Sequence, residues 1–422
     1  MVVIALLKKA VNSYYENIKV ATRNSKLFLL SCFFFFLGSG ALRVIFNLYV
    51  QTMGYSEKFI GSLNSVKFIV AGIIAIPAAI LATRVGYKKT LIFAGGIGCF
   101  TIIGIALSST KNFLMLFNTL WGASRISIMV ITAPFIVKNS KPEERSHLFG
   151  INFAIIMITG MISKSTTGYI VTYLKSMYSS VLAYRITLFG IMAITFIGLI
   201  PLLFLKEKPI VEKEKVKDLL NKLKKFVARD NNIRKLIIYS TLIGIGAGTI
   251  VPLFNIFLYN KLAATDGQIG IIMALANIAT AIGGLGTPFL IKRMGKIKTI
   301  FIPQMISIVF LLMIAFFGNI YLVGVAYCLR MAFMNMANPV IQNFSMELVP
   351  EIEQANTSSI MRSVRRIGRG IGSFLSGIFL GAQMYILPFL ITAVLYLAAS
   401  FFFLYVFKHH DEPENEQVAQ TV

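Results

Sequence analysis

The residues of this chain equipped for chemistry are cations inside apolar sequence. Arg43, Lys67, Arg125, Lys164, Arg330, Arg362, Arg365, Arg366 and Arg369 all fall within long, mostly apolar runs. No Asp or Glu does: the 17 acidic residues sit in connections, at run ends or in the tail, with Glu57, Asp266 and Glu347 nearest to a run. A guanidinium is permanently charged, and its planar fork matches a carboxylate or phosphate bidentately. Cations with no carboxylate to neutralise them point to an anion site. They argue against a site for a cation, which needs a buried carboxylate, and against proton coupling through a membrane-embedded acid. Coupling through a titrating substrate, through anion exchange, or through Lys67 or Lys164 shedding a proton on burial stays open. None of the three histidines is placed as a relay, since His147 opens a run and His409 and His410 are in the tail.

Four of these cations share a face. Arg362, Arg365, Arg366 and Arg369 follow i, i+3, i+4, i+7 spacing, which on a helix makes one stripe. A lipid-facing Arg or Lys near a helix centre costs about 2.5–3.5 kcal/mol on insertion scales. Deep cations are therefore expected to face a water-filled cavity, backbone carbonyls or headgroups. Arg362 is near its run's end and can snorkel; Arg369 is about three turns in. The stripe has a binding reading, in which Arg366 and Arg369 meet substrate, and a structural one, in which it packs on carbonyls and headgroups. Arg43 stands one turn before Asn47, on the same face. Asn47 and Asn255 suit interhelical hydrogen bonding as well as substrate contact, and Lys67 and Lys164 are further candidates for the cavity. Gly368-Arg369-Gly370-Ile371-Gly372 imitates a nucleotide fingerprint, but no strand precedes it. No spacing suits a metal site, a nucleophile or a phosphate loop, so the chain is not expected to be an enzyme or to hold a cofactor.

The elements that must position these residues are membrane-spanning helices. Of 422 residues, 56% are hydrophobic and only 14% charged, where globular proteins average about 25% charged. A span needs about 20 apolar residues. Spans are read at 27–50, 59–82, 91–108, 113–137, 148–174 and 181–205, then at 236–258, 269–291, 299–317, 321–341, 358–381 and 384–407. The expected fold is all-α, an integral membrane protein of twelve helices. Lys and Arg crowd one set of loops, as at Lys8, Lys9, Lys19, Arg23 and Lys26, at Lys138, Lys141 and Arg145, and at Lys292, Arg293, Lys296 and Lys298. The opposite loops offer little beyond Lys58, Lys111, Lys175 and Lys261. That bias places both termini in the cytoplasm and the chain in a cell membrane. The net charge of +24 then suits anionic headgroups and not nucleic acid. Cys32, Cys99 and Cys328 lie in apolar runs and read as packing residues. The apolar start from Val2 to Leu7 is too short for a cleavable signal.

The expected organisation is a cytoplasmic segment 1–26, a six-helix domain 27–205, a connection 206–235, a second six-helix domain 236–407 and a polar tail 408–422. Leu219, Leu220, Leu223, Phe226 and Val227 line one face of the connection, among lysines. This fits a basic amphipathic helix on the membrane surface, or else a solvated linker helix. The two six-helix halves repeat each other at an offset of about 205–209. Gly38-Ser39-Gly40 matches Gly246-Ala247-Gly248, and Phe46-Asn47-Leu48 matches Phe254-Asn255-Ile256. Glu57 matches Asp266; Arg84, Gly86 and Lys89 match Arg293, Gly295 and Lys298; Arg125 and Pro134 match Arg330 and Pro339. Chance similarity between apolar helices rarely reproduces charged, Gly and Pro positions in order. Parallel repeats of this kind place substrate near the midplane and move by rocking of the halves.

The stretch Ala79-Ile80-Leu81-Ala82-Thr83-Arg84-Val85-Gly86-Tyr87-Lys88-Lys89 resembles the loop motif between helices two and three of the major facilitator superfamily, Gly-x-Leu-Ala-Asp-Arg-x-Gly-Arg-Lys-Lys. Its second copy is Leu290-Ile291-Lys292-Arg293-Met294-Gly295-Lys296. Pro142-Glu143-Glu144-Arg145, and Arg330 ahead of Asn338-Pro339, are also similar to that superfamily. Thr83 stands where the family has Asp, so a charged lock through that position is not available. The resemblance implies two pseudo-symmetric domains whose helices one, four, seven and ten line a central cavity. It thereby turns Arg125 and Arg330 toward the pathway as an anion clamp, with helix-to-backbone bracing as the alternative. The expected activity is secondary transport by alternating access of a small or amphiphilic organic anion, by a monomer in a bilayer with anionic headgroups. A polyspecific exporter of hydrophobic compounds, a non-transporting membrane sensor of the same fold and a lipid-moving role are the other readings. Phe33 to Phe36 are expected to be lipid-facing bulk, although an exporter would use such rings inside.

Overall fold

The computed structural model describes residues 22–206, 230–350 and 353–408. The expected amphipathic helix of the connection, the N-terminal segment before residue 22 and the tail from 409 lie outside the described residues. Among the described residues there is no strand. The helices are α1 (Arg23–Thr52), α2 (Glu57–Val85), α3 (Tyr87–Leu107), α4 (Lys111–Lys138) and α5 (Pro142–Met177). They continue with α6 (Ser180–Leu203) and α7 (Asn231–Leu262). The stretch Asp266–Phe316 is two helices, α8 (266–294) and α9 (296–316), which meet at Gly295. Then come α10 (Ile320–Glu347), α11 (Gln354–Gly381) and α12 (Leu387–Phe407).

Among the described residues, ten helices are long and apolar enough to cross a membrane when Asp266–Phe316 is counted once. Dividing that stretch at Gly295, and adding α11, whose four arginines lower its hydropathy, gives the twelve expected from the sequence. Local signals start several helices. Asp230 accepts from the backbone N–H of Asn232 and Ile233 at α7, and Asn319 accepts from Tyr321 and Leu322 at α10. Thr265 and Gln268 form a reciprocal capping box at α8. The turn from α2 to α3 needs Gly86 at φ 104°, and its repeat mate Gly295 has φ 78°. Only glycine reaches such angles without strain. Thr90 and Thr299 then donate to the carbonyls of Gly86 and Gly295.

The helices form two compact units that cut across the sequence halves. The first takes residues 22–42, 74–163 and 185–206. Its core gathers Phe28, Phe35, Leu91, Ile131, Phe135 and Leu202, with Phe28 stacked on Phe135 at 4.4 Å. Phe35 is thus buried in the core and Phe36 packs against it, in contrast to the lipid-facing role expected for that run. The second unit takes residues 43–73, 164–184 and everything described from 230 onward. Its core is aromatic: Phe254 lies on Tyr327 at 3.8 Å, and Tyr239, Phe344, Phe403 and Phe407 pack in series. Parts of α1, α2 and α5 from the first sequence half therefore belong with α7–α12. That assignment brings the first-half cations Arg43, Lys67 and Lys164 into one unit with the arginines of α11.

Candidate functional site

The second unit holds most of the expected site residues, and its framework begins where α7 breaks. Residues 251–253 leave the helix, and the carbonyl of Pro252 accepts the Asn47 amide at 2.6 Å. A spanning helix can be interrupted only where its freed polar groups find partners. Asn47 donates also to its repeat mate Asn255 (3.0 Å), which donates in turn to the carbonyl of Val44 (2.8 Å). Asn64 of α2 donates to Asn47 (2.9 Å), and the Lys67 ammonium donates to Asn64 (2.5 Å). A chain of side-chain amides thus runs from Lys67 to the broken turn. Asn47 and Asn255 are 3% and 2% exposed, so both are spent on holding α1 to α7.

Lys67 stands at the open end of this chain. Its ammonium lies 5.4 Å from the centroid of Phe46 and 5.2 Å from that of Phe68. Arg369 faces the same Phe68 ring, its guanidinium carbon 5.8 Å from the centroid. Arg369 is in turn within electrostatic reach of Arg43, Arg365 and Arg366, and Arg366 within reach of Arg43 and Arg362. Arg43 is exposed, yet it senses Tyr327 of α10 together with the arginines of α11. It therefore opens onto space bounded by α10 and α11. Arg43, Lys67, Arg366 and Arg369 form one cationic group with two phenylalanine faces. The register of α11 is set from behind, where α7 presses close. A Cβ at Gly248 would sit 2.3 Å from the Arg369 carbonyl oxygen, so only glycine fits there.

Arg362 and Arg365, the other two arginines of the stripe, are held by neighbouring polar side chains. Arg362 is exposed and donates to Ser358 at 2.7 Å. Arg365 donates to Asn338 at 2.9 Å, and Asn338 donates to Asn335 one turn back on α10. Arg330 is only 1% exposed and donates to the Tyr396 hydroxyl at 3.1 Å, tying α10 to α12. Arg125 lies in the first unit, where it lines a small cleft with Phe36, Ser39, Trp121, Ser124 and Thr195.

Lys164 does not join the cationic group. It is 5% exposed, and its ammonium donates to Asn277 at 2.6 Å and to the Met273 carbonyl at 3.4 Å. It begins a seam between α5 and α8 that continues through Gly168, Thr172 and Lys175. Thr172 accepts the Gly267 N–H at 3.1 Å, and Lys175 pairs with Asp266 at 2.6 Å. In the loop motif, Lys88 donates to the carbonyls of Leu203 and Leu205 at the end of α6. Thr83 turns its hydroxyl back to the Ile80 carbonyl. Arg84, Lys89 and Arg293 are exposed, and Lys296 pairs with Glu347 at 2.8 Å. Sequence reasoning missed Asn64, Tyr327, Asn277 and Tyr396. The signal available for the asparagines was an amide inside an apolar run, one turn from a lysine in the case of Asn64.

Several solved structures share this arrangement of helices. A nucleoside transporter, NupG, superposes with TM-score 0.77 at 17% identity, over 92% of this chain and 100% of that one. A bacterial homolog of the human lysosomal transporter Spinster, in an inward-facing and occupied conformation, gives 0.71 at 14% identity, over 91% of this chain and 96% of that one. The human organic anion transporter MFSD10 (TETRAN) gives 0.61 at 13% identity, over 90% and 99%. At such identities the likeness speaks for the fold alone. No curated protein matches by sequence. The sequence profile of the Major Facilitator Superfamily matches residues 28–373 and again 236–421, and with the twelve-helix architecture and the repeated glycine turns this makes the chain a multi-pass membrane protein belonging to that superfamily of transporters.

Proposed function

We propose that the chain is a secondary transporter that works by alternating access in a cell membrane, with both termini cytoplasmic, and that it carries a small or amphiphilic organic anion. The observation that carries this reading is the group Arg43, Lys67, Arg366 and Arg369. These cations stand on α1, α2 and α11, and the only acid on those three helices is Glu57, at the far end of α2. Guanidinium forks supply bidentate donors for the negative group, and the faces of Phe46 and Phe68 supply a flat apolar surface for the organic part. The repeat supports a rocking motion of the sequence halves 27–205 and 236–407 around such a site. Among the structural relatives, one is an organic anion transporter and another a nucleoside transporter, so anionic and neutral solutes are the classes to set against each other.

The test is ligand-induced thermal stabilisation of the purified chain with matched anionic, neutral and cationic compounds, since a ligand of the folded state raises apparent stability by mass action. Anions are expected to raise the unfolding midpoint, and Arg369→Gln to abolish that rise. Stabilisation by neutral or cationic compounds with anions inert would overturn the reading in favour of a polyspecific exporter. Specific binding without flux in proteoliposomes would favour a membrane sensor.

A further inference from the structure

Resting on the anion reading of this same site, we propose that the transported anion carries two negative charges on one group, as a phosphate monoester does. The charge count leads there. Lys67 and Arg369 both face the Phe68 ring, and Arg43 and Arg366 lie within electrostatic reach of Arg369. Nothing on α1, α10 or α11 short of the terminal Glu347 is acidic, and Glu57 is ten residues from Lys67. Four like charges gathered in one place repel one another, and a monoanion would balance only one of them. A phosphate monoester brings close to two charges at pH 7 and three acceptor oxygens, enough for more than one guanidinium fork.

The Nε of Arg369 is buried and has no hydrogen-bond partner among the described residues. The adjacent Arg365 and Arg362 are held by Asn338 and Ser358. The two rings lie on the Lys67 side of the group, at 5.4 and 5.2 Å from its ammonium. That placement gives the site a polar side for the phosphate and an aromatic side for the ester substituent. A soluble phosphate ester and a lipid phosphate share this chemistry.

The experiment titrates the full chain in phosphatidylcholine nanodiscs with phenyl phosphate, phenyl sulfate and phenol, which differ only in headgroup charge. Phenyl phosphate is expected to bind about tenfold or more tighter than phenyl sulfate at pH 7.5. The preference should fade toward pH 5, because the second phosphate pKa is about 6 while the sulfate charge is constant. Arg369→Gln should cut the preference to about threefold or less, and Arg369→Lys, which keeps the charge, should retain part of it. Equal binding of sulfate and phosphate at pH 7.5 overturns the dianion and leaves the anion reading standing. Phenol binding as tightly as either ester overturns both, and so does binding by none of the three. Displacement of bound phenyl phosphate by lysophosphatidate upholds the proposal for a lipid phosphate. Retention against lysophosphatidate, with the phosphate preference intact, upholds it for a soluble ester.

Discussion

Two charged regions of the second unit are built on opposite rules. At the start of α8, Asp266 accepts from Lys175 at 2.6 Å and from the Tyr184 hydroxyl at 2.5 Å. Lys175 also lies over the Tyr184 ring at 4.6 Å. The side chains of Lys175 and Asp266 are 20% and 4% exposed, and the acid sits at a helix N-terminus, where a negative charge is favoured. Every charge there has its counter-charge in the chain. In the cationic group, Lys67 and Arg369 face the Phe68 ring, Arg43 and Arg366 lie within electrostatic reach of Arg369, and the helices that carry the four have no acid besides Glu57. Charge laid down to hold helices together arrives with its complement, as it does across α5 and α8. Charge gathered without a complement on its own helices is the feature on which the anion reading rests.

The sharpest way to break that contrast is to neutralise the centre. Arg366→Gln with Arg369→Gln is expected to lower anion uptake in proteoliposomes by about 100-fold or more, the scale of two lost charge-assisted pairs. The unfolding midpoint should stay level or rise, because repulsion is removed. A fall of several degrees would show instead that the stripe braces the helices. The second effect in size lies at the other region. Asp266→Ala leaves Lys175 and Tyr184 without their acceptor, and breaking a buried pair costs about 3–5 kcal/mol. Lys175 is one-fifth exposed, so about 2–3 kcal/mol is expected, read as a lower unfolding midpoint with the order of ligand preference unchanged. Adding Lys175→Met should recover more than half of the loss. No recovery would mean that the pair does more than neutralise itself.

How much of this was legible in the sequence differs between the regions for a physical reason. Hydropathy and the repeat told where helices run, because solvation by lipid acts on each helix separately. Gly86 and Gly295 were readable for the same kind of reason, since a left-handed turn constrains one residue type at one place. The stripe on α11 was readable as a stripe, because periodicity fixes which residues share a face of their own helix. Periodicity does not say what stands opposite. Lys164 and Lys67 look alike in sequence, two lysines in apolar runs, yet Lys164 is bonded into the seam with α8 and Lys67 meets two rings near Arg369. The seam had its own pattern, Lys164, Gly168, Thr172 and Lys175 along one face of α5, but its meaning depends on Gly267, Gly270 and Asp266 across from it. The grouping of parts of α1, α2 and α5 with α7–α12 is likewise a tertiary fact with no local signature.

The smallest effect sharpens the comparison most finely, because it concerns the repeat mate of Asp266. Glu57 opens α2 as Asp266 opens α8, but it accepts from neutral donors, the amides of Gln51 at 3.1 Å and Asn260 at 2.9 Å. Those two amides also bond each other at 2.8 Å, so the contact survives if the acceptor loses its charge and keeps its oxygen. Glu57→Gln does that. The loss is confined to the charge assistance of two hydrogen bonds and the favourable end of the helix dipole, about 0.3–1 kcal/mol. Glu57→Ala removes the acceptor itself and should cost about 1–2 kcal/mol more, by leaving half-buried amide donors unmatched. Thermal unfolding of the two variants beside Asp266→Asn measures how far the repeats have diverged. A Glu57→Gln variant as unstable as Asp266→Ala would mean that the Glu57 charge is balanced by something beyond these two amides, and the two ends of the repeat would then obey the same rule after all.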